Sequence, residues 1–302
     1  MRFSAKAVIL VTLAAFPHAP GRALAREGRR IFVSVDMEGI AGVVSGEQLA
    51  PQAFEYAAFR ELMTQEANAA IAAAREAGAS EFVVADSHGN FQNLLPDKLP
   101  PDVELVRGGP RPQGMLQGLD SSFDGVIFIG YHASTVNPAG VRAHSFSSAN
   151  LADVRLNGVS VTEGSWNAAI AAHYGVPVLA VSGDEAAVAE VQSQVPGISG
   201  AVVKWPYAFH SARGLSPNAA RAVIGEAVRK GMARRGSTDL PRAATPIRLE
   251  IRFKSYRPAE ILSWLPGAER ADAHAVRYTV KDMPEASRFL AFVLAYQADL
   301  QP

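Results

Sequence analysis

The stretch VDMEG at residues 35–39 places two carboxylates, Asp36 and Glu38, directly behind the apolar run of residues 31–35. Side chains two apart on extended chain point the same way. Asp36 and Glu38 therefore crowd their charges, which costs free energy unless a cation or a proton lies between them. Three more apolar stretches finish similarly: FVVA before Asp86, Ser87 and His88, VIFIGY before His132, and VLAVSG before Asp184 and Glu185. Imidazole nitrogens mixed with carboxylate oxygens suit Zn2+. There are enough of them for two ions with one carboxylate shared, and Asp36, short and deeply placed, is the natural bridge. The chain has no cysteine, so thiolate ligands are excluded.

Local sequence leaves simpler roles open for the other candidates. His88 in DSHGN could be a turn residue, His132 in GYHAS a hydrogen-bonded loop residue, and His144 in VRAHSFSS an exposed one. Glu163 in SVTEGSW precedes a helix, where the helix dipole favours a carboxylate in any case. His173, near a helix C-terminus, needs no further role.

The elements that must position these residues alternate in type. Strand-like segments (RIFVSVD, EFVVADSHG, VELVRG, GVIFIGYHA, PVLAVSGDE, GAVVKW) are separated by helix-like ones, notably 54–79, 165–175 and the helix that Ser216 caps with Pro217 at its first position. Near-continuous apolar strands between helices indicate an α/β fold, a mostly parallel sheet covered by helices on both faces. From about Thr245 the pattern changes. PIRLEIRFK alternates polar and apolar residues as a half-exposed strand does, and a helix, a strand (AVRYTVK) and a last helix follow. The expected organisation is a core over residues 26–244 and a smaller C-terminal α+β portion over 245–302.

Residues 1–25 read differently. Arg2 and Lys6 precede the apolar run of residues 7–16, and ALA at 23–25 supplies a small-residue cleavage pattern, the order of a secretory signal peptide. The run is about half the roughly 20 residues a membrane-spanning helix needs. The expectation is an exported protein, periplasmic or extracellular, without stable membrane association. Over the whole chain 29 basic residues balance 29 acidic ones, and no basic stripe points to nucleic acid.

The motifs SVDMEGI, ADSHGN, GYHA, AHSF, GVSVTEGSWNA and VPVLAVSGDE occur here in that order. Together they resemble the zinc D-aminopeptidases, the family of the bacterial D-aminopeptidase associated with dipeptide transport, and the likeness runs over about residues 30–295. The resemblance implies a two-zinc site with Asp36 bridging and with Glu38, His88, His132 and Glu163 as the other ligands. It implies His144 as the additional catalytic histidine. It also implies an intertwined α/β fold, ring-shaped homo-oligomers, and release of N-terminal D-residues, typically D-Ala, from short peptides by metal-activated water. Ala85 stands where the family usually has Asn. Asp184 or Glu185 is a candidate to bind the free amine of the substrate.

Two other readings use some of the same residues. A haloacid-dehalogenase-like, Mg2+-dependent phosphatase would take Asp36 as nucleophile and Lys204 as its basic residue, and would leave the three histidines idle. An exported solute-binding protein would fit an α/β fold with a signal peptide, but it has no need of a histidine–carboxylate cluster at several strand ends.

Overall fold

A computed structural model describes residues 28–234 and 240–296; the expected signal segment lies outside the described residues. The strands of the first half are β1 (Arg29–Val35), β2 (Ala79–Asp86), β3 (Val103–Val106), β4 (Gly125–Tyr131), β5 (Leu151–Leu156) and β6 (Val159–Ser160). Those of the second half are β7 (Val178–Asp184), β8 (Ser199–Ala208), β9 (Ser211–Gly214), β10 (Ile247–Phe253), β11 (Ala268–Arg270) and β12 (Ala275–Val280). The helices are α1 (Tyr56–Glu76), α2 (Glu163–His173), α3 (Glu185–Gln194), α4 (Pro217–Ala233), α5 (Tyr256–Leu262) and α6 (Met283–Tyr296).

The main sheet has seven strands in the order β3-β2-β1-β4-β7-β8-β9, and only the β8–β9 hairpin pairs antiparallel. The chain steps outward from β1 to β2 and β3, then returns to the other side of β1 as β4. That reversal opens a crevice beyond the carboxyl ends of β1 and β4, where ligands bind in open α/β sheets.

Alternation along β1 explains why both faces must be covered. Ile31, Val33 and Val35 pack with Met63, Ala67 and Ile71 of α1 and Ile224 and Val228 of α4. Phe32 points the other way, into a core that Trp166 and Ile170 of α2 share with Val188 of α3. Ser34 faces that side too and is satisfied there by Ser87 Oγ at 2.7 Å and the Tyr131 hydroxyl at 2.8 Å. A buried hydroxyl with partners costs little.

The second sheet has the order β11-β12-β10-β5-β6 and its assigned pairings are antiparallel. Along β10, Ile247, Leu249, Ile251 and Phe253 are buried while Arg248, Glu250 and Arg252 are not, as the alternation in PIRLEIRFK requires. The buried residues face Leu290 and Val293 of α6 within the core that contains α2. Strands from 151–160 and from 247–280 thus meet in one sheet, so the chain enters it twice. The mostly parallel sheet and the C-terminal α+β portion expected from the sequence are both present. The short strand expected at GAVVKW is longer, because β8 continues to Ala208 and folds back as β9.

Candidate metal centre

The loops after β1, β2 and β4 and the first turn of α2 converge in the crevice. Asp36 follows β1 directly, and its amide donates to Ile129 O of β4 at 2.8 Å. Two glycines let the β1 and β4 loops touch through backbone alone. A Cβ on Gly39 would lie 2.1 Å from Tyr131 O, and one on Gly130, whose φ is +72°, would lie 2.2 Å from Asp36 O. No side chain fits either place.

His88 is presented by a loop that Asp86 ties down. The Asp86 carboxylate accepts from Asn93 N at 2.5 Å, Asn93 Nδ2 at 2.8 Å and Leu94 N at 2.6 Å, and Asn93 Nδ2 also donates to His88 O at 2.6 Å. Glu163 is the first residue of α2, behind the N-cap Thr162, whose hydroxyl accepts from Ser165 N at 2.8 Å. His144 lies between two non-glycine residues in the left-handed region, Arg142 at φ 55° and Phe146 at φ 60°. Strain of this kind, of order 1–3 kcal/mol per residue, is characteristic of functional loops.

The two oxygens of Asp36 face different histidines. Oδ1 is 3.5 Å from His88 Nδ1, and Oδ2 is 3.4 Å from His132 Nε2. On the first side His88 Nδ1 also meets Glu38 Oε2 at 2.9 Å. On the second, Glu163 Oε1 lies 3.4 Å from His132 Nε2 and 3.8 Å from His144 Nε2. The two imidazoles His132 and His144 stack at 3.9 Å. Two groups of converging donor atoms result, Asp36–Glu38–His88 and His132–His144–Glu163, and Asp36 reaches from the first into the second.

Second partners orient each ring. His88 Nε2 is 3.0 Å from Leu49 O, which makes Nε2–H the donor and leaves Nδ1 facing the carboxylates. His132 Nδ1 lies 3.0 Å from Ala133 O and turns Nε2 inward. His144 Nδ1 lies 2.9 Å from Arg142 O and likewise turns Nε2 to the centre. Outer hydrogen bonds of this kind fix the tautomer of metal-binding histidines.

The electrostatics call for a cation. Burial, followed by the Glu38 charge, pushes the Asp36 carboxyl up to about 8. Burial opposes the His132 imidazolium, yet Glu163 and Asp36 outweigh it and raise the ring to about 10. Burial also works against the Glu38 carboxylate, but His88 beside it holds the group well below the ordinary range. His144 goes the other way, lowered by burial and then by His132. Asp36 Oδ2 and His132 Nε2 are buried and have no hydrogen-bond partner, which is expensive for polar atoms. Divalent ions between these atoms would satisfy both, and hard carboxylates with imidazoles are the donors zinc takes. The residues present therefore fit the metal.

The cluster opens into a cavity of about 380 Å³. Met115, Phe146, Trp166, Leu290 and Leu294 form the apolar part of its wall, which also includes Asp36, Glu38, His88, His144 and Glu163. Asp184 and Glu185 do not line it. Asp184 is buried at the end of β7 and caps α3, accepting from Ala187 N at 2.9 Å, while Glu185 is exposed. The amine-binding role expected of that pair is therefore not supported by their placement. Lys204 also lies outside the cavity lining, its ammonium engaged by backbone carbonyls, so it is not available as the basic residue of a phosphatase. Sequence reasoning did not assign roles to Asn93, Leu49 or Arg142, because two of them act through backbone carbonyls that no residue type announces.

Glu66 of α1 braces the same β1 loop. Its Oε1 accepts from Ala41 N at 2.9 Å, and Oε2 is buried without a partner. Burial raises the carboxyl from the ordinary 4.5 to about 7. The folded state then holds this proton more tightly than the unfolded chain, so the group's contribution is fully present below 4.5 and is lost as pH rises toward 7. Glu66→Gln removes that loss. Against wild type, both zinc-saturated, its stability in urea unfolding should improve by roughly 2 kcal/mol between about pH 5 and pH 8. An unchanged difference across that range would mean that Glu66 stays ionised in the fold.

The comparison with known proteins agrees with this geometry. The model of the D-aminopeptidase family Peptidase M55 matches residues 29–292. A D-aminopeptidase of Bacillus subtilis (strain 168) is 35% identical over 260 residues, which span 85% of this chain and 93% of that protein. A solved structure, described as the Zn-dependent D-aminopeptidase DppA from Bacillus subtilis, a self-compartmentalizing protease, superposes with a TM-score of 0.85 at 33% identity. That match covers 90% of this chain and 98% of the other. With the match running across both sheets and the crevice that gathers the candidate metal ligands, this chain belongs to the M55 family of D-aminopeptidases.

Proposed function

We propose that this chain is a two-zinc aminopeptidase that releases N-terminal D-residues of the D-Ala type from short peptides. The observation that carries the reading is Asp36, whose two oxygens are aimed at two separate donor groups. Asp36 would bridge the ions, with Glu38 and His88 completing one half and His132 and Glu163 the other. Zinc ions held there would acidify an attacking water and polarise the scissile carbonyl.

The chain's own residues supply the rest. His144, its Nδ1–H engaged by Arg142 O, presents Nε2 to the cavity. Burial, and then His132, lower its pKa from the ordinary value, which favours the unprotonated ring. It can take the proton of the attacking water and pass it to the departing amine. Glu163 Oε1 also accepts from Phe146 N at 2.6 Å, which fixes its carboxylate beside both rings. The apolar wall accepts the substrate side chain and excludes water, and the cavity volume suits a short peptide rather than a folded protein.

Two broader features belong to the same reading. Large apolar side chains are exposed at Phe54, Tyr207, Phe209 and Trp264. Assembly into a homo-oligomer would cover such side chains, and a relative is described as a self-compartmentalizing protease. The pattern at residues 1–25 supports export, which would place the enzyme where D-Ala peptides of the cell wall arise.

Protein beginning at residue 26 should hydrolyse D-Ala p-nitroanilide well and the L-Ala compound poorly. Chelation should abolish the activity and zinc restore it. Cleavage of the L-compound alone would reject the stereochemistry, and no cleavage of either would reject the function.

A further inference from the structure

The β1 loop that carries Asp36 and Glu38 passes over a charge that the reaction does not use. Lys204 projects from β8 and is 1% exposed. Its ammonium donates to three backbone carbonyls of this loop: Glu38 O, Ile40 O at 3.1 Å and Val43 O at 2.7 Å. An ammonium has three donors and no acceptor capacity, so these contacts use it completely. Asp184 is paired beside Lys204 in the sheet register, and Glu66 accepts from Ala41 N of the same loop.

A buried lysine has to offset the cost of its desolvation, and a methionine would fill similar space more cheaply. What the ammonium adds is direction. Residues 38–43 turn so that three carbonyls point inward at one atom, and that turn sends the Glu38 carboxylate outward to His88. The other donors have supports of their own, although Gly39 N, 2.7 Å from Gly130 O, joins this loop to the end of β4. His132 follows β4 and is held by Ala133 O, His144 is held by Arg142 O, and Glu163 belongs to α2.

We infer that Lys204 is a positioning residue chiefly for one half of the metal centre: it clamps residues 38–43 so that Glu38 and His88 hold their ion, and it bears less on the His132–Glu163 half. The inference rests on the two-zinc reading above, and its test separates the two. Zinc per chain and zinc affinity against a competing chelator are measured for wild type, Lys204→Met and Lys204→Gln, with far-UV circular dichroism as the check on folding. Gln still donates hydrogen bonds but carries no charge. Lys204→Cys provides a rescue, because the chain has no other cysteine. Its thiol, alkylated with bromoethylamine in denaturant before refolding, restores an ammonium at nearly the original reach.

The expected result is two zincs in wild type. In Lys204→Met one of them weakens by about 10- to 100-fold, the range seen when outer partners of metal ligands are removed, while the second changes clearly less. Gln should fall between the two, and the aminoethylated variant should regain both ions. Equal loss of both ions overturns the inference, as does retention of both at wild-type affinity or failure of both variants to fold. In each of those cases Lys204 serves the core in general or not at all. A wild type that binds fewer than two zincs would instead refute the two-zinc reading itself.

Discussion

Asp36→Asn should strip the protein of both zinc ions and lower kcat/KM for D-Ala p-nitroanilide by roughly 10³-fold or more. The argument is geometric. Asn keeps the volume of Asp but has one oxygen acceptor and no charge, so it cannot serve His88 on one side and His132 on the other, as Oδ1 and Oδ2 do. Metal activation of water and carbonyl is worth several kcal/mol of barrier, and each 1.36 kcal/mol is about tenfold in rate. The fold should survive, because the amide removes a carboxyl that burial already pushes up to about 8. Metal analysis and kinetics on the same preparation check this. A variant that keeps two tightly bound zincs would show that Asp36 does not bridge.

His144→Ala should separate chemistry from metal binding. Its Nε2 stands 3.8 Å from Glu163 Oε1, farther than the 3.4 Å at which His132 Nε2 stands, and it faces the cavity. Loss of a proton-transfer group costs about 10²- to 10⁴-fold, so kcat should drop by that amount with zinc still at two per chain. The group also falls within ligand reach of His132 and Glu163, which makes the opposite result informative. Loss of one zinc from the variant would make His144 a ligand rather than the proton carrier.

Asp36, Glu38, His88 and His132 could be read from residue type and position, because a parallel sheet delivers the ends of its central strands to one crevice. The same rule pointed at Asp184, which the fold uses differently: an Asp immediately before a helix is a strong N-cap, and that competing signal prevailed. Glu163 and His144 could be placed only by resemblance. One begins a helix and the other lies in an irregular loop, and no periodicity relates either to the strand ends. The left-handed turns at Arg142 and Phe146 leave no trace in composition, since neither residue type favours positive φ. One legible signal went unread. LADVRL-NG-VSV has the Asn-Gly pair of a tight hairpin, and Asn157 and Gly158 do adopt positive φ between β5 and β6. Reading it would have placed two more strands. It would not have shown that β5 pairs with β10, nearly a hundred residues later, since register across such a distance is set by buried faces rather than by local sequence.

The most direct test of the two-metal claim is a crystal structure of the zinc-loaded protein with anomalous scattering recorded at the zinc edge. The account predicts two peaks about 3.5–4 Å apart. Asp36 should bridge them, with Glu38 and His88 around one and His132 and Glu163 around the other. A single peak, or two that do not share Asp36, would contradict it.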